Sequence, residues 1–191
     1  MILVLGLGNP GKEYLKNRHN AGFMAADYLS NLYKLPFNYK AKFNSDLSQG
    51  FIGYHRILLV KPAVFMNLSG IAAQSICAYY NISLENIYVI HDDIDLELGR
   101  IKIKLGGGNA GHNGLKSIDQ YLGNKYWRIR IGVGRPNTNI NVSDYVLGNF
   151  REAEYENIIT AIKKISDNFE LIISGKLEEF QRKLYTPPQL S

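Results

Sequence analysis

LVLGLGNPGKEYLKNRHNAG, residues 3–22, begins as a short branched apolar run and ends in a cluster of polar side chains. Ile2 to Leu7 reads as a buried strand, ended by glycines. The glycines fall as Gly6-x-Gly8-x-x-Gly11, the spacing of a dinucleotide-binding turn. That turn needs a helix opening at the loop and an acid about 20 residues on to hold a ribose hydroxyl. Here Pro10 interrupts the loop, the helical pattern starts about ten residues late, and SNLYKLP, where the acid should stand, contains none. The stretch instead concentrates Asn9, Tyr14, Arg18, His19 and Asn20, and loops after strands are where α/β proteins place chemistry.

Working outward, Ala25, Ala26, Leu29, Leu32 and Tyr33 recur at helical spacing and predict a helix from about Asn20 to Tyr33, stopping before Pro36. Leu47 to Ile52 and Arg56 to Val60 predict a hairpin through Gly53. A helix is expected over Ser69 to Tyr80, with Asn67 or Ser69 as its cap. Ile87 to Ile90 reads as a buried strand ending abruptly in HDDID. Arg100 to Leu105 and Trp127 to Val133 read as strands, separated by GGGNAGHNG and a helix running to about Tyr121. Residues 151–184 are helical in pattern, and the polar tail 185–191 is expected to be mobile. Strands alternating with helices indicate an α/β fold: one domain over 1–191, a three-layer sandwich with a twisted mixed β-sheet flanked by helices.

The composition, 46% apolar and 20% charged over 191 residues, is that of a globular protein. No apolar run approaches the roughly 18 to 20 residues a membrane span needs, so no membrane association is expected. MILVL at the start lacks the basic leader of a secretory signal, and the single cysteine, Cys77, excludes an internal disulfide; both point to a cytoplasmic protein. Net charge is +5, but it is local. Between Arg100 and Arg135, eight Lys or Arg stand against the single acid Asp119, leaving the rest of the chain slightly negative. Lys102 and Lys104, like Arg128 and Arg130, alternate with apolar residues, so each pair shares one face of its strand. Such a patch is the footprint of a phosphate-bearing or nucleic-acid partner.

Three further polar clusters lie where a strand hands over to a loop or helix: FMNLSG (65–70), HDDID (91–95) and GGGNAGHNG (106–114). All four could converge on one rim. A serine elbow of the G-x-S-x-G type is absent and Cys77 sits in an apolar helical pattern, so no covalent nucleophile stands out. H-E-x-x-H is absent too. Asp92, Asp93 and Asp95 suit magnesium or simple turn chemistry equally well. A histidine and a carboxylate without a nucleophile suggest a water activated by His19, with asparagine amides binding peptide groups and a developing oxyanion. That set describes hydrolysis of an activated acyl bond whose polyanionic portion rests on the basic strands.

GLGNPGKEYLKNRHNAGF, KPAVFMNLSG, HDDIDLELG with its basic strand, GGGNAGHNGLKSI, RIRIGVGRP and YVLGNF occur in this order over residues 3–150, and together they resemble the bacterial-type peptidyl-tRNA hydrolases. The resemblance implies hydrolysis of the ester joining a peptide to the 3′ ribose of tRNA, recycling tRNA from prematurely released peptidyl-tRNA. It implies His19 of R-H-N as the base, Asp92 as its orienting carboxylate and Asn9 as a third catalytic residue. Tyr14, Met66, Asn67, Asn113 and His112 are implied on the substrate side, and Lys102, Lys104, Arg128 and Arg130 on the tRNA side. The family works without metal or organic cofactor, as a monomer. Three departures from its pattern stand out: Asn17 and Val64 replace a common Ser/Thr and Thr, and Asn109-Ala110 replaces His-Gly. Two other readings remain: an RNA-binding module without turnover, and a magnesium-dependent phosphoester hydrolase built on the three aspartates.

Overall fold

The computed structural model describes residues 1–136 and 139–185, the last by its backbone alone. In chain order the elements are β1 (Ile2–Gly6), α1 (Ala21–Leu32), β2 (Asn38–Lys40), β3 (Ser45–Ile52), β4 (His55–Pro62), α2 (Ser69–Tyr80), β5 (Ile87–Asp93), β6 (Ile101–Leu105), α3 (Asn113–Leu122), β7 (Trp127–Gly132), α4 (Val142–Leu147), α5 (Glu152–Asp167), α6 (Phe169–Ile173) and α7 (Leu177–Tyr185). One sheet runs β2-β3-β4-β1-β5-β7-β6. β1 lies parallel to β4 and β5, and β5 to β7, while the β2/β3, β3/β4 and β6/β7 pairs are antiparallel.

The central strands are apolar on both faces because both faces are covered. Ile2 and Val4 of β1 enter one core with Ile57, Leu59, Tyr88 and Ile90, under Leu29 of α1, Ile162 of α5, Phe169 of α6 and Phe180 of α7. Leu3 and Leu5 enter the other with Leu58, Val60, Ile87 and Val89, under Ile76 of α2 and Leu115 and Ile118 of α3. The three-layer sandwich expected from the alternation is therefore present. β1 sends its chain to β4 on one side, and β5 arrives on the other, so the crevice beyond the carboxyl end of β1 is a switch point where such sheets bind ligands.

The glycines of the opening stretch serve close packing. A Cβ on Gly22 would lie 2.2 Å from the Ile90 carbonyl oxygen and 2.4 Å from Leu7 N, and one on Gly8 would enter the Phe23 ring. They let α1 seat against the ends of β1 and β5, which explains why the turn reads as a nucleotide fingerprint without its context.

Several expected boundaries shift. Neither Asn67 nor Ser69 caps α2 through its side chain; a 3-10 turn at Met66–Leu68 leads directly into the helix. β5 does not stop at Ile90 but continues through Asp93, because β7 pairs with it to the end, His91 opposite Arg130 and Asp93 opposite Gly132. The carboxyl-terminal helical segment is three helices, broken at Asn168 and again around Gly175. β2 and α4 carried no sequence signal strong enough to anticipate. The tail, beyond the backbone of Tyr185, lies outside the described residues.

Candidate active site

The loop after β1 reaches its shape through Asn20. Its side-chain oxygen accepts from Asn9 N and its amide donates to Asn9 O, both at 2.9 Å, closing a clamp across the loop. Asn9 Oδ1 is taken by Met66 N at 2.8 Å, which ties the 3-10 turn before α2 to the same loop. That bond fixes the amide's orientation, so Nδ2 is left as a donor with no partner among the described residues. Arg18, next to the histidine, is buried: it pairs with Glu154 at 2.7 Å, donates to Tyr145 O at 3.3 Å and lies 4.2 Å over the Tyr145 ring.

His19 is 7% exposed and its Nδ1 lies 2.9 Å from Asp92 Oδ1. His112 Nε2 lies 3.0 Å from the same oxygen. The tautomers follow from the partners. His112 Nδ1 accepts from Gly114 N at 3.1 Å and Leu115 N at 3.3 Å, capping α3, so its proton sits on Nε2 and is donated to Asp92. Although burial opposes its ionisation, Asp92 is held well below the usual carboxylate range by His19 and His112. It is an anion that only accepts, and His19 must donate from Nδ1. His19 Nε2 is thereby left bare. Burial alone would lower the His19 pKa, but the Asp92 charge and hydrogen bond outweigh it and raise the imidazole above 6.5.

Around that nitrogen opens a cleft of about 1010 Å³, lined among others by Asn9, Tyr14, Met66, Asn67, Asp92 and Asn113. The four polar clusters do meet there. The amides of Asn67 and Asn113 have no protein partner among the described residues, and both residues are exposed toward the cleft. Met66 is 4% exposed, its seat depending on Gly114, where a Cβ would lie 2.6 Å from the Met66 sulfur. Val142, Val146 and Leu147 add an apolar wall from α4. Sequence reasoning missed that wall; its only signal was the YVLGNF motif.

The acids of HDDID separate rather than converge. Asp92 faces the histidines, Asp93 Oδ2 accepts from Arg130 Nε at 2.7 Å, and Asp95 pairs with Arg135. A magnesium site made of all three does not fit this arrangement. His19, Asp92 and His112 do place one ligand atom each within 4.8 Å of one another, but His19 Nδ1 and His112 Nε2 already donate to Asp92, and an ion held through those two nitrogens would have to break both bonds. His91, almost wholly buried, donates from Nδ1 to Asp92 O at 2.6 Å; burial and the neighbouring His112 push its pKa down, so it is neutral.

The four basic strand residues do share a face, because β6 and β7 pair Lys102 with Arg130 and Lys104 with Arg128. Their exposure differs. Lys104, Arg128 and Arg130 all border the cleft. Lys102 is exposed but lies instead over a groove with Leu177, Phe180 and Leu184 of α7. Arg128 is only 3% exposed and bonded to Asp119 and to the Gly108 carbonyl, so it is not presented at the surface as its sequence pattern suggests.

No helix among the described residues is long and apolar enough to cross a membrane. The family model for peptidyl-tRNA hydrolase matches residues 3–189. A peptidyl-tRNA hydrolase of Rickettsia canadensis is 56% identical over 184 residues, 96% of this chain and 100% of that protein, and one of Rickettsia felis is 55% identical over the same shares. The crystal structure of peptidyl-tRNA hydrolase from Acinetobacter baumannii superposes with a TM-score of 0.91 at 35% identity, covering 96% of this chain and 93% of that one.

Proposed function

The chain belongs to the peptidyl-tRNA hydrolase family, and from that premise we propose that it hydrolyses the ester between a peptide and the 3′ ribose of tRNA, with His19 as general base. His19 Nε2 takes a proton from a water lying in the cleft, and the resulting hydroxide attacks the ester carbonyl. The imidazolium, held by Asp92, returns the proton to the departing ribose oxygen, so peptide acid and free tRNA leave without a covalent intermediate. Such a base contributes roughly 10² to 10⁴ in rate.

Asn9 Nδ2 is the donor for the carbonyl oxygen as charge develops on it, since its amide is locked by Met66 N. Asn67 and Asn113 bind main-chain groups of the peptide, which makes recognition blind to side chains. Met66 supplies an apolar wall, and Tyr14 borders the 3′ end of the tRNA. His112 belongs to this site through Asp92, both of its nitrogens being used within the protein. Lys104 and Arg130 at the rim, with Lys102 beyond it, hold phosphates of the acceptor stem. Such contacts carry little sequence information, so many tRNAs are accepted. The enzyme acts as a monomer in the cytoplasm, without cofactor.

The observation that carries this reading is the His19–Asp92 pair, with the second imidazole nitrogen facing a cleft lined by the Asn9, Asn67 and Asn113 amides. Release of N-acetyl-amino acid from labelled N-acetyl-aminoacyl-tRNA in EDTA tests it. Metal-independent turnover that His19→Ala loses supports the reading. A folded wild-type protein that binds tRNA without turnover replaces it with an RNA-binding module, and loss of turnover on adding EDTA would restore a metal-dependent hydrolase.

A further inference from the structure

The segment between β6 and α3 delivers His112 and Asn113 to the cleft, yet its backbone has little to fix it. Gly106, Gly107, Ala110 and Gly111 all lie at positive φ, and three of the four are the residue that constrains the chain least. Much of what holds this segment converges on one internal ion pair. Arg128 Nη1 donates to the Gly108 carbonyl at 2.6 Å and Nη2 donates to Asp119 Oδ1 at 3.0 Å. Asp119, on α3, also accepts from the Tyr126 hydroxyl at 2.8 Å and from the Asn109 amide at 3.5 Å. The guanidinium lies 4.8 Å over the Tyr126 ring. One carboxylate and one guanidinium thus tie together α3, β7 and two points of the loop.

We propose that Arg128 and Asp119 form a latch that positions this loop for the reaction, setting the direction of the Asn113 amide and the His112 bond to Asp92. The inference rests on the hydrolase reading above and goes beyond it in taking Arg128 away from the tRNA. Arg128 borders the cleft but is only 3% exposed, with Nη1 and Nη2 each bonded inside the protein and Nε buried, so it offers far less to a phosphate than the exposed Lys104 does. The planar fork is what the task requires, because two acceptors on different segments must be reached at once, and a lysine ammonium does not reproduce that geometry. Displacing a reacting group by about 1 Å can cost on the order of a hundredfold in rate, so a loose latch is felt in turnover before it is felt in binding.

Arg128→Met, Arg128→Lys and Asp119→Asn are compared with Lys104→Met and with wild type. Turnover is read on N-acetyl-aminoacyl-tRNA, affinity on deacylated tRNA across a salt series, and folding from the thermal midpoint. The latch predicts that kcat falls tenfold to about a hundredfold in Arg128→Met, less in Asp119→Asn, with incomplete recovery in Arg128→Lys. In all three the tRNA affinity and its salt slope stay at the wild-type value, whereas Lys104→Met binds more weakly with a slope smaller by about 0.9, one phosphate contact. The proposal is overturned if Arg128→Met behaves as Lys104→Met does and Arg128→Lys restores binding. It is equally overturned if the variants lower the melting midpoint but keep wild-type kcat and KM where they are folded. Should Arg128→Met not fold, Asp119→Asn decides: the latch predicts reduced kcat, while a phosphate-binding Arg128 predicts tighter tRNA binding once a competing acid is neutralised. Wild-type turnover in the same assay separates these outcomes from failure of the hydrolase reading itself.

Discussion

Two glycine-bearing loops feed the cleft, and they are held in different ways. The loop after β1 is stitched to its surroundings by backbone bonds, Leu7 N to Ile90 O and Phe23 N to Leu7 O at 3.0 Å, and farther along Arg18 N to Gly148 O at 3.1 Å, with the Asn20 clamp across it. Gly6, Gly8 and Gly22 are places where another backbone or ring already occupies the space of a side chain. The loop after β6 has open space around Gly108 and Gly111 and depends chiefly on side chains, Arg128 and Asn109, for its path. The first loop places a base that must face one point. The second presents Asn113 to a peptide. Similar glycine content serves a rigid seat in one case and a latched strap in the other.

The comparison breaks most sharply at the base. His19→Ala is expected to lower kcat by about 10² to 10⁴ while tRNA affinity, measured by equilibrium binding, stays near wild type, because the phosphate contacts lie on β6 and β7. Comparable loss of binding would remove His19 from the chemistry.

Adding a methyl group to each loop gives the next largest contrast. Gly22→Ala drives a Cβ to 2.2 Å from Ile90 O, a backbone atom with nowhere to go, and should cost about 3 kcal/mol or more in a denaturant melt. Gly108→Ala meets nothing within 4 Å and is not at positive φ, so its stability should change by no more than about 0.5 kcal/mol. Equal effects would mean that the two loops are not built differently.

The smallest effect tests a departure from the family pattern. Ala110 sits at φ 48°, where a side chain is strained, and Asn109 Oδ1 accepting from Gly111 N at 3.2 Å supports that bend. Ala110→Gly relieves roughly 1 kcal/mol of backbone strain but loosens the unfolded chain, so a net gain below about 1 kcal/mol is expected. A loss of stability would show that Ala110 packs rather than strains.

Much of this site was legible before the fold was known, since His19, Asn9, Asn67 and Asn113 stand in short polar runs at the ends of apolar strands, and that contrast is a one-dimensional signal. What stayed hidden depends on pairing. HDD could not be seen as strand, because three polar residues become sheet only when β7 runs beside them and Arg130, His19 and His112 supply partners. Alternation placed Arg128 on the right face, but exposure depends on where α3 puts Asp119, which no spacing in β7 reveals. His112 as helix cap and support of Asp92 was likewise invisible, since its two roles involve residues 2 and 20 positions away. The α4 wall is six residues long, too short for a periodic signal.

The most direct test of the central claim, that Asp92 tunes His19 as the base, is the pH dependence of kcat/KM for wild type and Asp92→Asn. The free base must be neutral to accept a proton, so activity rises with pH through the His19 pKa, which the Asp92 charge and hydrogen bond hold above 6.5 against the effect of burial. The account predicts a wild-type midpoint above that value. In Asp92→Asn the midpoint moves to lower pH and the plateau falls, because burial then acts without the opposing charge. A midpoint that stays in place when Asp92 loses its charge would contradict the account.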